Sequence, residues 1–233
     1  MERSTTGLLV CCFVSLLYSA TAAEKAPWTD KFDVERKGFS ATGKNACFIL
    51  EPGYQLVFDG KESGEQVHLT ITVLDETKTI DGVKTRVVEE KETQDGKLAE
   101  VSRKYFAIDT VTGNVYYFGE DVDEYSDGKI TTHGGSWLSG VNGAHYGLVM
   151  PANPKAGERY YQEVAPKVAN DRAEIVSLSE TVTTPAGKFD NCLKIEETTP
   201  LEPKSKEYKY YAPGIGLIQD GSLKLTKHGL MVK

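Results

Sequence analysis

The feature that most constrains this fold is a set of five Asp-Gly pairs: Asp59-Gly60, Asp81-Gly82, Asp95-Gly96, Asp127-Gly128 and Asp220-Gly221. Glycine accepts a positive φ at little cost, so Asp-Gly between two alternating runs is typical of a tight β-hairpin turn. Residues 67–73 alternate apolar and polar side chains between two such pairs, with the period of a half-buried strand. The sequence therefore predicts successive strands joined by short turns.

The same pattern returns near the C-terminus, at residues 207–221. An alternating run ends at Tyr211, Pro213-Gly214 interrupts it, and a second run leads to the last Asp-Gly pair. Proline at the first central position of a type II turn requires a positive φ at the next residue, which is Gly214. This stretch predicts a strand, a turn and a further strand.

We interpret the whole chain as all-β, a strongly curved antiparallel sheet or open half-barrel of roughly 10–12 strands with meander topology. We find no stretch with the 3.6-residue period of a convincing helix. Residues 46–233 are long enough to form one β domain with a buried core.

The N-terminus predicts export. Residues 1–23 have a short charged start, an apolar run and small residues at the end, which is typical of a secretory signal peptide. The apolar run is about half as long as a membrane-spanning helix requires. We therefore expect a soluble periplasmic or secreted protein, with no transmembrane segment in the mature chain and a polar leader at residues 24–45.

The acidic character limits the partners. The formal net charge is −7, and no basic cluster stands out, which argues against a nucleic-acid partner. We expect no cofactor, and the sequence leaves the oligomeric state open.

The acid-rich hairpin around Asp121, Asp123 and Asp127 is a candidate calcium site. Its spacing does not match an EF-hand, so the alternative is a solvated hairpin with acids on its outer face.

Two cysteines, Cys47 and Cys192, remain after removal of the predicted signal. An exported chain makes a disulfide between them a natural hypothesis. The alternative is two unrelated buried thiols, because sequence alone cannot bring two Cβ atoms within reach.

Aromatic and large apolar residues provide the candidate ligand contacts. Residues 134–157 contain six glycines and two prolines, which predicts irregular structure over most of their length. The segment is nevertheless apolar at Trp137, Tyr146, Leu148 and Met150, so we expect a ligand mouth here. Tyr117 is a further candidate, because adjacent tyrosines in a strand place one ring on each face. Ordinary cross-strand packing is the alternative.

Two segments carry a resemblance, residues 183–194 (TTPAGKFDNCLK) and 210–217 (YYAPGIGL), and residues 114–120 (NVYYFGE) add a third. Together they resemble bacterial exported proteins of unassigned function, whose fold is similar to the periplasmic lipoprotein-carrier superfamily. The resemblance spans most of residues 47–220 and implies a curved antiparallel sheet forming an open half-barrel. It implies no catalytic residue. Lipoprotein carriers cover the concave face with helices, and this chain departs from them by having no good amphipathic helix.

The leading functional hypothesis is non-catalytic. We expect an apolar or amphiphilic, lipid-like ligand, or an envelope partner, on the concave face of the sheet. A structural or protein-interaction module of the cell envelope is the first alternative, and a hydrolase with an unrecognised site is the second. An apolar cavity would favour ligand binding, whereas a filled core with an exposed sheet edge would favour partner recognition by strand addition.

Overall fold

The computed structural model of the protein describes residues 25–231, so the predicted signal peptide at residues 1–23 lies outside the described residues. This part of the chain forms sixteen strands and one short 3-10 helix, Arg36–Gly38. The strands are β1 (Phe39–Ser40), β2 (Tyr54–Glu62), β3 (Glu65–Ile80), β4 (Val83–Gln94), β5 (Lys97–Asp109), β6 (Val115–Ser126), β7 (Lys129–Thr132), β8 (Trp137–Leu138), β9 (His145–Met150), β10 (Arg159–Tyr161), β11 (Glu163–Val164), β12 (Arg172–Thr184), β13 (Gly187–Thr199), β14 (Glu202–Ala212), β15 (Gly216–Asp220) and β16 (Leu223–Leu230).

The strands form one antiparallel sheet, nearly closed into a barrel with one seam. The order is β10-β12-β13-β14-β15-β16-β2-β3-β4-β5-β6-β9-β11, so sequential strands are neighbours over most of the sheet. The last strand, β16, pairs with β2 and brings the two ends of the domain together. The predicted all-β fold class and strongly curved antiparallel sheet are confirmed. No helix within residues 25–231 has the length and apolar character needed to cross a membrane.

The seam is bridged by β10 and β11, which are consecutive in the chain but lie at opposite ends of the strand order. Tyr160 of β10 pairs with β12, and Glu163 of β11 pairs with β9. Gly147 of β9 makes this crossing feasible, because a Cβ there would lie 2.4 Å from the backbone carbonyl of Gln162. Only glycine leaves room for two backbones at that separation.

The hairpin turns largely follow the sequence. Asp81, Asp95 and Asp127 have φ values of 50°, 48° and 50°, and the glycine after each also has positive φ. Positive φ at both central residues is the geometry of a type I′ hairpin turn. Gly214 has φ 80°, as the Pro-Gly turn predicts.

The turn predicted at Asp59-Gly60 is wrong. Strand β2 continues through this pair to Glu62, and the chain reverses at Ser63 and Gly64, both with positive φ. Gly60 serves close packing instead, since a Cβ there would lie 2.7 Å from the carbonyl oxygen of Ser222.

The structure has more strands than predicted, and part of the difference lies in residues 134–157. Most of this segment is irregular, as predicted, but Trp137–Leu138 and His145–Met150 form β8 and β9 and pair with β6. Tertiary pairing outweighs the local glycine content here. Gly119 of β6 enables one of these pairings, because a Cβ at this position would lie 2.3 Å from the carbonyl oxygen of Trp137.

The leader packs against the barrel wall. Thr29 forms a parallel bridge to Tyr160, and β1 pairs with β5. The leader supplies two rings of what we call the outer aromatic cluster: Phe32, Phe39, Tyr116, Phe118 and Tyr146. The rings of Phe39 and Phe118 are 5.2 Å apart at their centroids, and Phe118 stacks on Tyr146 at 4.8 Å.

The two cysteines are both buried free thiols and are not at disulfide distance, so the hypothesised disulfide is not formed in the structure. Cys47 belongs to the main core, whereas Cys192 packs in a second apolar cluster with Phe58 and Leu225. Burial, assisted by the nearby Cys192, raises the pKa of Cys47 to about 11.

Candidate functional site

The interior of the barrel contains a cavity of about 190 Å³. Its lining is divided by chemistry. Apolar side chains such as Leu56, Ile71 and Val88 form one part, and charged groups form another. Both arise from the two-residue period of the strands, because alternate positions of each strand point inward.

Stacked rings form one side of this cavity, which we call the aromatic wall: Phe48, Phe106 and Tyr117. Phe106 stacks on Tyr117 with centroids 4.8 Å apart, and Phe48 lies 5.2 Å from Phe106. Phe106 and Tyr117 are register partners on β5 and β6, so sheet pairing fixes their stacking. Trp137 supports the wall from behind with an edge contact to Tyr117 at 5.2 Å.

Beside the aromatic wall lie three carboxyls that we call the acidic cluster: Glu120, Glu163 and Asp171. Glu163 is only 4% exposed, and one of its oxygens accepts the backbone N–H of Asp171 at 3.1 Å. Burial raises the pKa of Glu163 well above its usual range, and the charges of Asp171 and Glu120 raise it further. Burial also raises the pKa of Glu120, against the opposing influence of Lys104. A positive charge placed beside the cluster would therefore stabilise its ionised carboxylates.

Two lysines also line the cavity, and each has a carboxylate partner of its own. Lys104 pairs with Glu90 at 2.7 Å. Lys209 pairs with Glu197 at 2.9 Å and with Asp220 at 3.4 Å. Burial acts to lower the pKa of Lys209, but the charges of Asp220 and Glu197 outweigh it and raise that pKa.

An acidic recess of about 200 Å³ continues from the cavity and shares Glu90 and Asp220 with it. Six carboxyls line each space and two are shared, so ten carboxyls line the two spaces together; three of these residues, Glu62, Asp171 and Glu207, are exposed. Against two lysines, ten carboxylates give a formal charge of −8, more negative than the −7 of the whole chain. Much of the net acidity of the protein is thus concentrated around these two adjoining spaces.

The hydroxyl of Tyr117 is buried and has no hydrogen-bond partner in the described part of the chain. The residue is 6% exposed and lines the cavity. Burial raises its pKa well above the usual value, and the charges of Glu120 and Glu163 add to this. Glu120 is near enough for a hydrogen-bond interaction with this hydroxyl to contribute to the pKa shifts of both groups, although the pair falls outside ordinary hydrogen-bond geometry. A buried hydroxyl without a partner is costly and marks a position where a ligand atom would be favourable.

The five residues predicted as ligand contacts occupy different surroundings. Tyr117 lines the cavity, whereas Tyr146 lies in the outer aromatic cluster. Leu148 and Met150 are 4% and 0% exposed in the main core. Trp137 lines a separate groove of about 250 Å³ together with Val141 and Val168.

The three aspartates predicted as a weak metal site face outward or toward other partners. Asp121 accepts hydrogen bonds from Lys78 at 2.8 Å and from the hydroxyl of Tyr105 at 2.5 Å. Asp123 lies 2.7 Å from His133, and Asp127 occupies a hairpin turn. Among residues 25–231, no group of three or more His, Cys, Asp or Glu side chains has an arrangement that could hold a metal ion.

Several lining residues were not identified from the sequence, among them Phe106, Glu120, Glu163 and Lys104. The strand period predicts which side chains share a face, but it does not say which face becomes concave. One signal was available: strands β4 and β5 carry charged residues at positions in phase with apolar ones, as Val88 is with Glu90. Such a mixed face is unusual for a sealed core and indicates a hydrated interior.

Comparisons of the chain with protein-family models, with curated proteins and with solved structures each gave no match. The resemblance to exported bacterial proteins with a lipoprotein-carrier-like fold therefore stays a prediction from the sequence.

Proposed function

We propose that this protein is an exported, non-catalytic binding protein that holds a small amphiphilic ligand inside its β-barrel. The main support is the two-sided cavity, in which the aromatic wall and apolar side chains adjoin the acidic cluster. Ligand sites are typically concave and mostly apolar, with a few convergent polar groups. Export rests on the composition of residues 1–23.

The size of the cavity limits the ligand. An engineered apolar cavity of about 150 Å³ is known to bind benzene. A cavity of about 190 Å³ therefore suits one ring, or a short alkyl chain, with a small polar group attached. The adjoining recess is lined mainly by carboxyls, so it does not suit a longer apolar chain.

The alternative of a protein-interaction module has weaker support. Strand β7 is exposed at all four residues and pairs only with β6 among the described strands. It is short and begins with Lys129, features that oppose edge-to-edge pairing. A hollow interior favours ligand binding over strand addition.

Calorimetric titration with phenethyl alcohol, a neutral ring with one hydroxyl, tests the proposal. We expect saturable one-to-one binding to the wild-type protein. Ile71→Trp should abolish it, because Ile71 lines the cavity and indole would fill the space. Val176→Trp is the matched control, since Val176 is 42% exposed on β12. A thermal melt of the wild type with the alcohol gives a second readout, because a ligand of the folded state raises Tm. Neither heat of binding nor a raised Tm would reject the proposal.

A further inference from the structure

We infer that the polar group of the ligand is a protonated amine, held by the acidic cluster and the Tyr117 hydroxyl beside the aromatic wall. The inference rests on the proposed function, since it assigns the ligand chemistry of the same cavity.

The distribution of charge supports a cation. Lys104 and Lys209 are already paired with Glu90, Glu197 and Asp220. By contrast, no ion pair joins any member of the acidic cluster to a lysine, arginine or histidine within residues 25–231. Like charges held close together repel, most strongly at the buried Glu163, and a bound cation removes that repulsion; Asp171, by contrast, is exposed.

The Tyr117 hydroxyl is a second, independent indication of a ligand. The hydroxyl is buried without a hydrogen-bond partner, and the residue lines the same space as Glu120 and Glu163. An ammonium group has three N–H donors and no acceptor. It can donate to the hydroxyl oxygen and to carboxylates at once, which satisfies the phenol and neutralises its neighbours.

The aromatic wall suits an organic cation in particular. Ring faces attract cations through their quadrupole, and they also bury apolar surface. Phe106 and Tyr117 present a stacked pair of rings at the cavity. A bare metal ion would use neither property, and the carboxyls of the described residues are not grouped to coordinate one.

The pKa of Glu163 agrees with this assignment. Burial and the neighbouring carboxyls Asp171 and Glu120 raise it in the ligand-free protein. A cation placed among these three groups would lower it again, so binding should release protons when the pH lies near the raised value.

The test compares three probes of nearly equal size by calorimetry at neutral pH: phenethylamine, phenethyl alcohol and phenylacetate. We expect the amine to bind at least about tenfold more tightly than the alcohol, because hydrogen bonds to charged groups are the stronger class. Phenylacetate should bind more weakly than both. Equal affinities for amine and alcohol would overturn the inference and leave the proposed function standing. Absence of binding by all three would overturn both.

Variants separate recognition from structure. Glu163→Gln keeps the acceptor for the Asp171 N–H and removes the charge, so the amine should lose about tenfold in affinity and the alcohol should not. Tyr117→Phe should also weaken binding of the amine, because the ammonium loses one hydrogen-bond partner. Glu196→Gln is the matched control, since Glu196 pairs with Lys206 at 2.9 Å and does not line the cavity. Equal losses for amine and alcohol in Glu163→Gln would contradict a charge-specific role.

Discussion

The two faces of strand β6 differ in how completely their side chains are satisfied. On the outer face, Tyr116 and Phe118 are closely packed in the outer aromatic cluster, and the Tyr146 hydroxyl donates to the carbonyl oxygen of Phe32 at 3.0 Å. On the inner face, Tyr117 has a hydroxyl without a partner and Glu120 lies beside other carboxyls. One strand thus carries a face suited to stability and a face suited to a ligand.

The largest difference between the faces should follow removal of a packed ring. Phe118 is 0% exposed and contacts Phe39 and Tyr146. We expect Phe118→Ala to cost about 3–5 kcal/mol in the free energy of unfolding, the range for a buried phenylalanine. Urea denaturation measures it. A loss below about 1 kcal/mol, the size of a surface effect, would show that the outer aromatic cluster does not stabilise this part of the barrel.

On the inner face, removal of a charge should stabilise the protein instead of destabilising it. Glu163→Gln removes a buried carboxyl whose folded-state pKa is raised by burial and by Asp171 and Glu120. We expect the ligand-free variant to be more stable than wild type by about 1–3 kcal/mol at pH 8. Urea denaturation of both proteins across a pH series measures the difference.

The pH dependence gives this prediction a sharper form. A carboxyl with a raised folded-state pKa destabilises the protein as pH rises from the unfolded value through the folded one. The advantage of Glu163→Gln should therefore disappear below the ordinary pKa of glutamate, where both states of the wild type are protonated. An advantage that persists unchanged in acid would have a cause other than charge.

The smallest effects come from two conservative changes on opposite faces. The Tyr105 hydroxyl donates to Asp121 and accepts from Lys78, both partly exposed groups. We expect Tyr105→Phe to cost about 1 kcal/mol. Tyr117→Phe should cost nothing or stabilise the ligand-free protein, because its hydroxyl has no partner to lose. Thermal melts of the two variants side by side make the comparison, and a larger loss in Tyr117→Phe would reverse our assignment of the faces.

Local chemistry made much of the fold predictable. The turns at Asp81, Asp95 and Asp127 follow from glycine's tolerance of positive φ, and alternation identified the long strands. The prediction of a turn at Asp59-Gly60 was wrong. Gly60 instead allows close packing against the backbone of Ser222, which is more than 150 residues away in the chain. Such contacts have no local signature.

The site was less accessible to sequence reasoning for the same reason. Of the five residues proposed as ligand contacts, Tyr117 lines the cavity, and it was proposed because adjacent tyrosines point to opposite faces. Glu163 was missed, since its inward position depends on the β10–β11 crossing that Gly147 permits. Composition showed an acidic protein, but only the register of distant strands shows that the acids converge.

The pairing of β16 with β2 also has a consequence for how the chain reaches this state. Strand β2 pairs on one side with residues 224–230 of β16. This part of the barrel therefore cannot form until nearly the whole chain has been synthesised. Contacts this distant are slow to form, and until then β2 presents an unpaired edge to the solution. The interval before closure is when the nascent chain is most exposed to aggregation, and it is also when its acidic interior lies open to water.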